Sequence, residues 1–267
     1  WDYNVKHRRS SPKSPEIGTG WLIAGLTIAA EFRYVARMKL ESKMSEKSTR
    51  LNQKLDRIRG GNYRPRDFIV AEAKDGDMGG GAGAMGIDPE TRLAHSASVY
   101  RSAMKEMIAS DQVDIMLMSL SSAEVLTSDG IFENYDVTPA VRLNEGTDIW
   151  GHRGADYRNH QARPFRTARL DRARALCDLG LYAVTFYNDV DRDVSTLNAY
   201  CEFRDQANTV GMRHFLEVFN PAFPIETFDE DIGIYINDAI VRCLAGVARE
   251  ERPLFLKMQY NGARAMA

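Results

Sequence analysis

Lys257 lies in Pro253-Leu-Phe-Leu-Lys-Met-Gln-Tyr-Asn-Gly262, flanked by Phe255, Leu256 and Met258. Apolar neighbours disfavour an ammonium by desolvation, lowering its pKa and leaving part of it as the free amine that attacks a ketone or aldehyde. The segment fits equally a lysine whose stem lies on apolar surface while its head reaches water. Glu217, in Phe215-Leu-Glu-Val-Phe-Asn-Pro221, holds the corresponding place in the preceding apolar run. Neighbouring strands run about 4.8 Å apart, so the two side chains meet if both face the same way. A carboxylate there can carry the protons that amine addition, loss of water and C–C cleavage each demand. The plainer expectation is a structural ion pair with Lys257 or Arg213.

Other polar residues gather where apolar runs end. Lys74, Asp75 and Asp77 follow one run, Asn144 another, Asn188 a third, directly after Tyr187, and Gln259 follows the run that holds Lys257. Asp75 is expected to orient a hydroxyl or assist the proton relay. Lys74, between Glu72 and Asp75, has acidic neighbours that favour the charged form, so it is a worse nucleophile than Lys257 and is expected to contact substrate or phosphate. Asp77, Asn144, Tyr187, Asn188 and Gln259 are candidates for binding substrate hydroxyls, although Asn144, Tyr187 and Asn188 fit loop capping equally well.

The elements that must position these residues follow from periodicity. Six short apolar runs read as strands: Phe68–Ala73, Val113–Met118, Ala140–Leu143, Leu181–Tyr187, Arg213–Phe219 and Leu254–Met258. Helix-like stretches lie between them at about Thr91–Ser110, Ser122–Leu126, Pro164–Leu179, Asp193–Val210 and Asp231–Arg249, with a start signal at Asp88-Pro89-Glu90 and stops at Gly180 and Gly211. This alternation defines an α/β protein with a parallel sheet. Candidate polar residues sit at many strand ends rather than at one switch point, which favours a (β/α)8 TIM barrel over a doubly wound sheet. With six units counted before Ala267, strands seven and eight are expected to be missing and the barrel incomplete.

Composition narrows the partners. A hydrophobic content of 44% supports a substantial core, and a formal charge of −2 gives no reason to expect nucleic acid or an anionic membrane, leaving small molecules. Residues 1–50 carry ten Lys/Arg against five Asp/Glu and are expected to be a poorly ordered basic extension, separate from a catalytic domain at 51–267. The run Trp21–Ala30 is about half the length needed to cross a bilayer. Cys177, Cys201 and Cys243 are odd in number and widely spaced, which suggests no disulfide or zinc framework and fits a reducing cytoplasm. Gly81-Ala-Gly-Ala-Met-Gly86 matches GxGxxG formally, but Ile87-Asp-Pro interrupts the way to the helix, so no dinucleotide site is expected and Gly79–Gly86 reads as a flexible loop or lid. A metal-dependent aldol reaction would need histidines, and His152, His160 and His214 make no HxH or HExxH pairing. No metal or cofactor is expected. Arg153, Arg158, Arg163 and Arg166 form a basic loop that can clamp an anion or serve as a solvated face.

Lys54-Leu-Asp-Arg-Ile-Arg59 and Asp67-Phe-Ile-Val-Ala-Glu-Ala-Lys-Asp-Gly-Asp-Met78, together with the fifth-strand glutamate and sixth-strand lysine, resemble the bacterial class I (Schiff-base) aldolases. These are the deoxyribose-phosphate, tagatose-bisphosphate and fructose-bisphosphate types and aldolase-like cousins of sugar and inositol catabolism. The resemblance spans about Leu51–Ala267. It implies reversible aldol cleavage of a keto- or deoxy-sugar, with Lys257 as Schiff-base lysine, Glu217 as proton carrier, Asp75 or Asp77 as the strand-one acid, and association into a homo-oligomer. The family's phosphate cradle after strands seven and eight has no counterpart here. A barrel that senses a sugar phosphate without turning it over is the alternative.

Overall fold

The computed structural model describes residues 49–146, 164–227 and 231–266. The expectations for the N-terminal extension, His152, His160, Arg153, Arg158 and Arg163 lie outside the described residues.

Thr49 opens helix α1 (Arg50–Arg59), its extended backbone and its hydroxyl accepting the Asn52 N–H making it an N-cap. Leu51 and Leu55, one turn apart, bury the same side of this helix. Six strands follow: β1 (Ala71–Lys74), β2 (Ile115–Met118), β3 (Thr138–Arg142), β4 (Leu179–Thr185), β5 (Arg213–Phe219) and β6 (Leu256–Met258). All neighbours are parallel and follow chain order. The sheet is curled into a half-barrel. Strictly sequential order excludes the doubly wound alternative, in which strand order reverses. The helices are α2 (Gly76–Gly80), α3 (Ala97–Ala109), α4 (Leu120–Ser128), α5 (Ile131–Asn134), α6 (Leu170–Arg174), α7 (Val190–Val210), α8 (Ile232–Ala245) and α9 (Ala263–Met266). Among the described residues no helix is long and apolar enough to cross a membrane.

Period two sorts the strand residues into two faces. On the inner face Ile115, Leu117, Ala140, Leu181, Ala183 and Phe215 cluster with Leu51 and Leu55, so α1 covers the N-terminal end of the curled sheet. On the outer face Met116, Met118, Val141, Tyr182, Leu216 and Val218 pack with helix residues such as Met104, Phe203 and Ile236. Every residue of β2 and β4 is buried, as expected of parallel strands covered on both sides. At the N-terminal end, Asp114 accepts Arg50 Nε (2.9 Å), Lys54 Nζ (2.8 Å) and the Val70 N–H (2.7 Å), holding α1 and the approach to β1 together.

Several boundaries differ from the sequence reading. The stretch Pro164–Leu179 holds only the short helix α6, because Phe165 pairs as an isolated bridge with Glu145 and keeps the approach extended. Asp88 does not start a helix; its carboxylate accepts the N–H groups of Glu90 and Thr91 in a turn closed by an Ile87–Ala94 bridge, and α3 begins at Ala97 behind its Ser96 cap. Gly79–Gly86 is not a plain loop, since α2 and a 3-10 turn (Gly81–Met85) cover it.

His214, on the outer face of β5, meets Tyr200 of α7 through Nε2···Oη (2.9 Å) and lies edge-on to the Phe203 ring. It is therefore a core residue rather than a ligand. Burial, reinforced by the Arg204 charge, pulls its imidazole pKa down to about 4. Between its ordinary value near 6.5 and that point, the unfolded chain takes up a proton that the folded chain refuses. This contribution to stability is thus complete above about pH 6.5 and declines as pH falls, by about 3 kcal/mol in all by pH 4. Urea titrations of wild type and His214→Asn at pH 7, 5 and 4 are expected to differ in slope against pH. Parallel pH dependences for the two proteins would overturn this assignment.

Candidate functional site

The chemistry-bearing residues meet on the inner face at the C-terminal ends of the strands. Glu217 and Lys257 are direct register partners across β5 and β6, and Lys257 Nζ lies 2.5 Å from Glu217 Oε1. Because Glu217 also pairs with Ala183 of the inner cluster, strand alternation places both side chains on the inner face. Glu217 is buried, its side chain only 6% exposed, whereas that of Lys257 is 40% exposed. The apolar enclosure expected of Lys257 from its flanks is incomplete. Leu256 is itself 38% exposed, and a carboxylate is the lysine's immediate neighbour. Burial raises the pKa of Glu217, against the opposing pull of Lys257 and Arg142.

The sequence reading missed the centre of the site. Arg142, buried at the end of β3, donates Nη1 to Asp75 Oδ2 (2.7 Å), Nη2 to Glu145 Oε1 (3.0 Å) and Nε to the Asn144 carbonyl (2.9 Å). Its guanidinium also lies 5.9 Å from the Phe219 ring centroid. Burial alone would lower the Arg142 pKa, but Glu145, Asp75 and Glu217 outweigh it and the net direction is upward. Three carboxylates thus surround two cations, Arg142 and Lys257, an excess of one negative charge when all are ionised. A signal existed: an arginine inside the apolar run Ala-Val-Arg-Leu, two residues from Ala140 and therefore on the same face. Glu145 approaches the backbone of α2 at Gly79, where an added Cβ would meet its carboxylate.

Of the other expected residues, Asp75 is buried in the site through Arg142. Asp77 stands on α2, where its Oδ2 accepts Ser119 Oγ (2.6 Å). Among the described residues, the carboxylate oxygens buried without a hydrogen-bond partner are Asp77 Oδ1 and Glu217 Oε2. The remaining expected residues are engaged elsewhere in the fold, Asn144 and Asn188 in the capping role that the sequence equally allowed. Lys74 belongs to β1 itself, in register with the outward-facing Met118, and pairs with Glu72 (3.4 Å), so it faces away from the site. Asn144 is structural. Its amide donates to the Ala183 carbonyl (2.8 Å) and accepts the Ala183 N–H (2.6 Å), bridging β3 to β4 beyond their ladder. Asn188 adopts φ 55° and gives its N–H to Tyr235 and its side-chain amide to the Glu226 carbonyl, which makes it a loop former. Tyr187 is buried against Phe223 at the end of the same strand. Gln259 Oε1 accepts the Asn220 N–H (3.0 Å) and, with the Asn220–Asn261 contact, joins the ends of β5 and β6. Among the described residues no group of three His, Cys, Asp or Glu side chains is arranged to hold a metal ion.

No family model matches the chain, and no curated protein matches it. Among solved structures it is similar to Cgl0159 from Corynebacterium glutamicum, at 18% identity over 84% of this chain and 72% of that one, with a TM-score of 0.43. It is also similar to the Paramecium bursaria Chlorella virus arginine decarboxylase bound to agmatine, at 14% identity over 59% of this chain and 42% of that one, with a TM-score of 0.36. Neither likeness is close enough to assign a residue.

Proposed function

We propose that the described units belong to a (β/α)8 barrel that catalyses reversible aldol cleavage of a keto- or deoxy-sugar, or its phosphate, through a Schiff base on Lys257. The observation that carries this reading is the register-paired Glu217–Lys257 couple, 2.5 Å apart at the C-terminal ends of β5 and β6, where barrel enzymes build their sites. Glu217, whose pKa is raised by burial, is suited to receive the lysine's proton and so release the amine. The amine adds to the carbonyl carbon, forming the N–C bond. Glu217 then returns its proton to the former carbonyl oxygen, which takes a second from the nitrogen and leaves as water. The resulting iminium accepts the electron pair of the breaking C–C bond, while a base removes the proton from the hydroxyl that becomes the new carbonyl. The unpartnered oxygens of Glu217 and Asp77 offer acceptors for substrate hydroxyls, consistent with a polyhydroxylated ligand.

Incubation with a panel of ketoses, deoxy-sugars and their phosphates, borohydride reduction and peptide mass spectrometry are expected to place one reduced adduct on Lys257. Absence of any adduct across the panel would sink the proposal. A second reading, a barrel that binds a sugar without turnover, is favoured by one observation: Lys257 Nζ is engaged by the Glu217 carboxylate at 2.5 Å rather than standing free. Ligand-induced thermal stabilisation with no reduced adduct would select that reading.

A further inference from the structure

Arg142 touches neither member of the Glu217–Lys257 couple by hydrogen bond, yet it is the charge on which the site's carboxylates converge. Its three donor groups are committed to Asp75 Oδ2, Glu145 Oε1 and the Asn144 carbonyl, so the guanidinium has one orientation. The partners come from two places in the chain: the residue after β1, and the segment just after β3, Asn144 and Glu145, that Phe165 pins through its bridge to Glu145. The side chain is 8% exposed, as is expected of a charge kept in place by matched partners rather than by water. Glu217, on the same face, has a buried oxygen with no hydrogen-bond partner. Arg142 stands opposite Leu181 and Glu217 opposite Ala183 on the two sides of β4, on one face, and the guanidinium lies 5.9 Å from the ring of Phe219, two residues beyond Glu217. The charges that act on Glu217 are those of Lys257 from β6, Arg142 from β3 and Asp75 from the end of β1.

We infer that Arg142 is a positioning residue whose charge, divided among Asp75, Glu145 and Glu217, sets the pH at which Glu217 exchanges its proton. The inference rests on the reading of Glu217 as the proton carrier. Its physical content is a competition. Asp75 and Glu145 hold Arg142 by direct hydrogen bonds, and Glu217 feels only what they leave uncompensated. Weakening one competitor therefore strengthens the hold of Arg142 on the ionised form of Glu217, and removing Arg142 abolishes that hold. A residue that merely fills the core would couple to Glu217 in neither direction.

The test follows the carboxyl carbon of Glu217 by NMR in protein labelled with 13C-glutamate, the resonance being assigned by its loss in Glu217→Gln. Glu145→Gln is expected to lower the Glu217 midpoint and Arg142→Gln to raise it, each by about one pH unit. Arg142→Lys, which keeps the charge and most of the volume, serves if Arg142→Gln does not fold; it is expected to leave the midpoint close to wild type while loosening the Asp75 and Glu145 geometry. Opposite shifts in Glu145→Gln and Arg142→Gln, or a downward shift in Glu145→Gln with Arg142→Lys near wild type, support the inference. An unmoved midpoint in Glu145→Gln, or shifts of the same sign in the two glutamine variants, overturns it. This readout needs no turnover. Midpoints that move as expected in a protein that forms no borohydride adduct uphold the role of Arg142 and reject the aldolase reading.

Discussion

Lys257→Arg is expected to lower kcat/KM for aldol cleavage by a factor of about 10³ or more, because a guanidinium keeps the positive charge but does not form an imine. The substitution is chosen against the geometry of the couple. Lys257 lies 2.5 Å from Glu217, and its side chain is 40% exposed, so a longer cation has room toward solvent and can keep the ion pair. An electrostatic or purely binding role for Lys257 would survive the change, and a nucleophilic role would not. Lys257→Ala is expected to lose as much activity and also to drive the Glu217 pKa further upward, since the carboxylate then keeps burial as its dominant influence and Arg142 as its facing cation. Steady-state kinetics on the sugar that gives the borohydride adduct check both variants. Activity within tenfold of wild type in Lys257→Arg would rule out the covalent mechanism.

At the other end of the strands, Asp114→Ala is expected to destabilise the fold by about 3–5 kcal/mol, the range for removing one partner of a buried charge network. Asp114 is almost wholly buried and joins three donors: Arg50 and Lys54 of α1 and the Val70 N–H ahead of β1. Its loss leaves the Val70 N–H without its acceptor and Lys54, whose side chain is only 13% exposed, without its counter-charge and with the Phe68 carbonyl as acceptor, and it frees the helix that brings Leu51 and Leu55 onto the inner cluster. Urea unfolding followed by circular dichroism measures the loss. A change below about 1 kcal/mol would mean that apolar packing alone holds α1, since burial of two leucines accounts for roughly 3–6 kcal/mol. Because Asp114 lies at the N-terminal ends of the strands and the site at the C-terminal ends, activity per folded molecule is expected to stay unchanged.

The contrast between those two ends bears on what can be read without coordinates. All six strands were legible as apolar runs; for β2 to β5 the reason is that burial on both faces demands near-continuous hydrophobic residues whatever the neighbours are, whereas β1 and β6 at the edges are only partly buried. Glu217 and Lys257 were legible as partners because consecutive strands pair in parallel here and each residue is the charged interruption near the end of an apolar run. Helices were less legible. The stretch before β4 carries a helical pattern, yet Phe165 pairs with Glu145 across about twenty residues of sequence, and no local propensity encodes that bridge. Lys74 and Asp75 illustrate the limit most sharply. They are adjacent, both ionisable and both at a strand end, and the period of two sends one to the helices and the other to Arg142.

By itself, the sequence determined the α/β alternation, the number of strands read here and the types of side chain at their ends, since these depend on local composition and on the burial each strand must achieve. Only the tertiary structure decided which of those side chains share a face. It selected Asp75, Glu217 and Lys257, turned Lys74 away, assigned Asn144, Asn188 and Gln259 to holding the backbone, and brought in Arg142 and Glu145. The reason is physical. Hydrogen bonds, ion pairs and desolvation act over a few ångströms in space, and the register between strands, rather than distance along the chain, decides which groups come within that range.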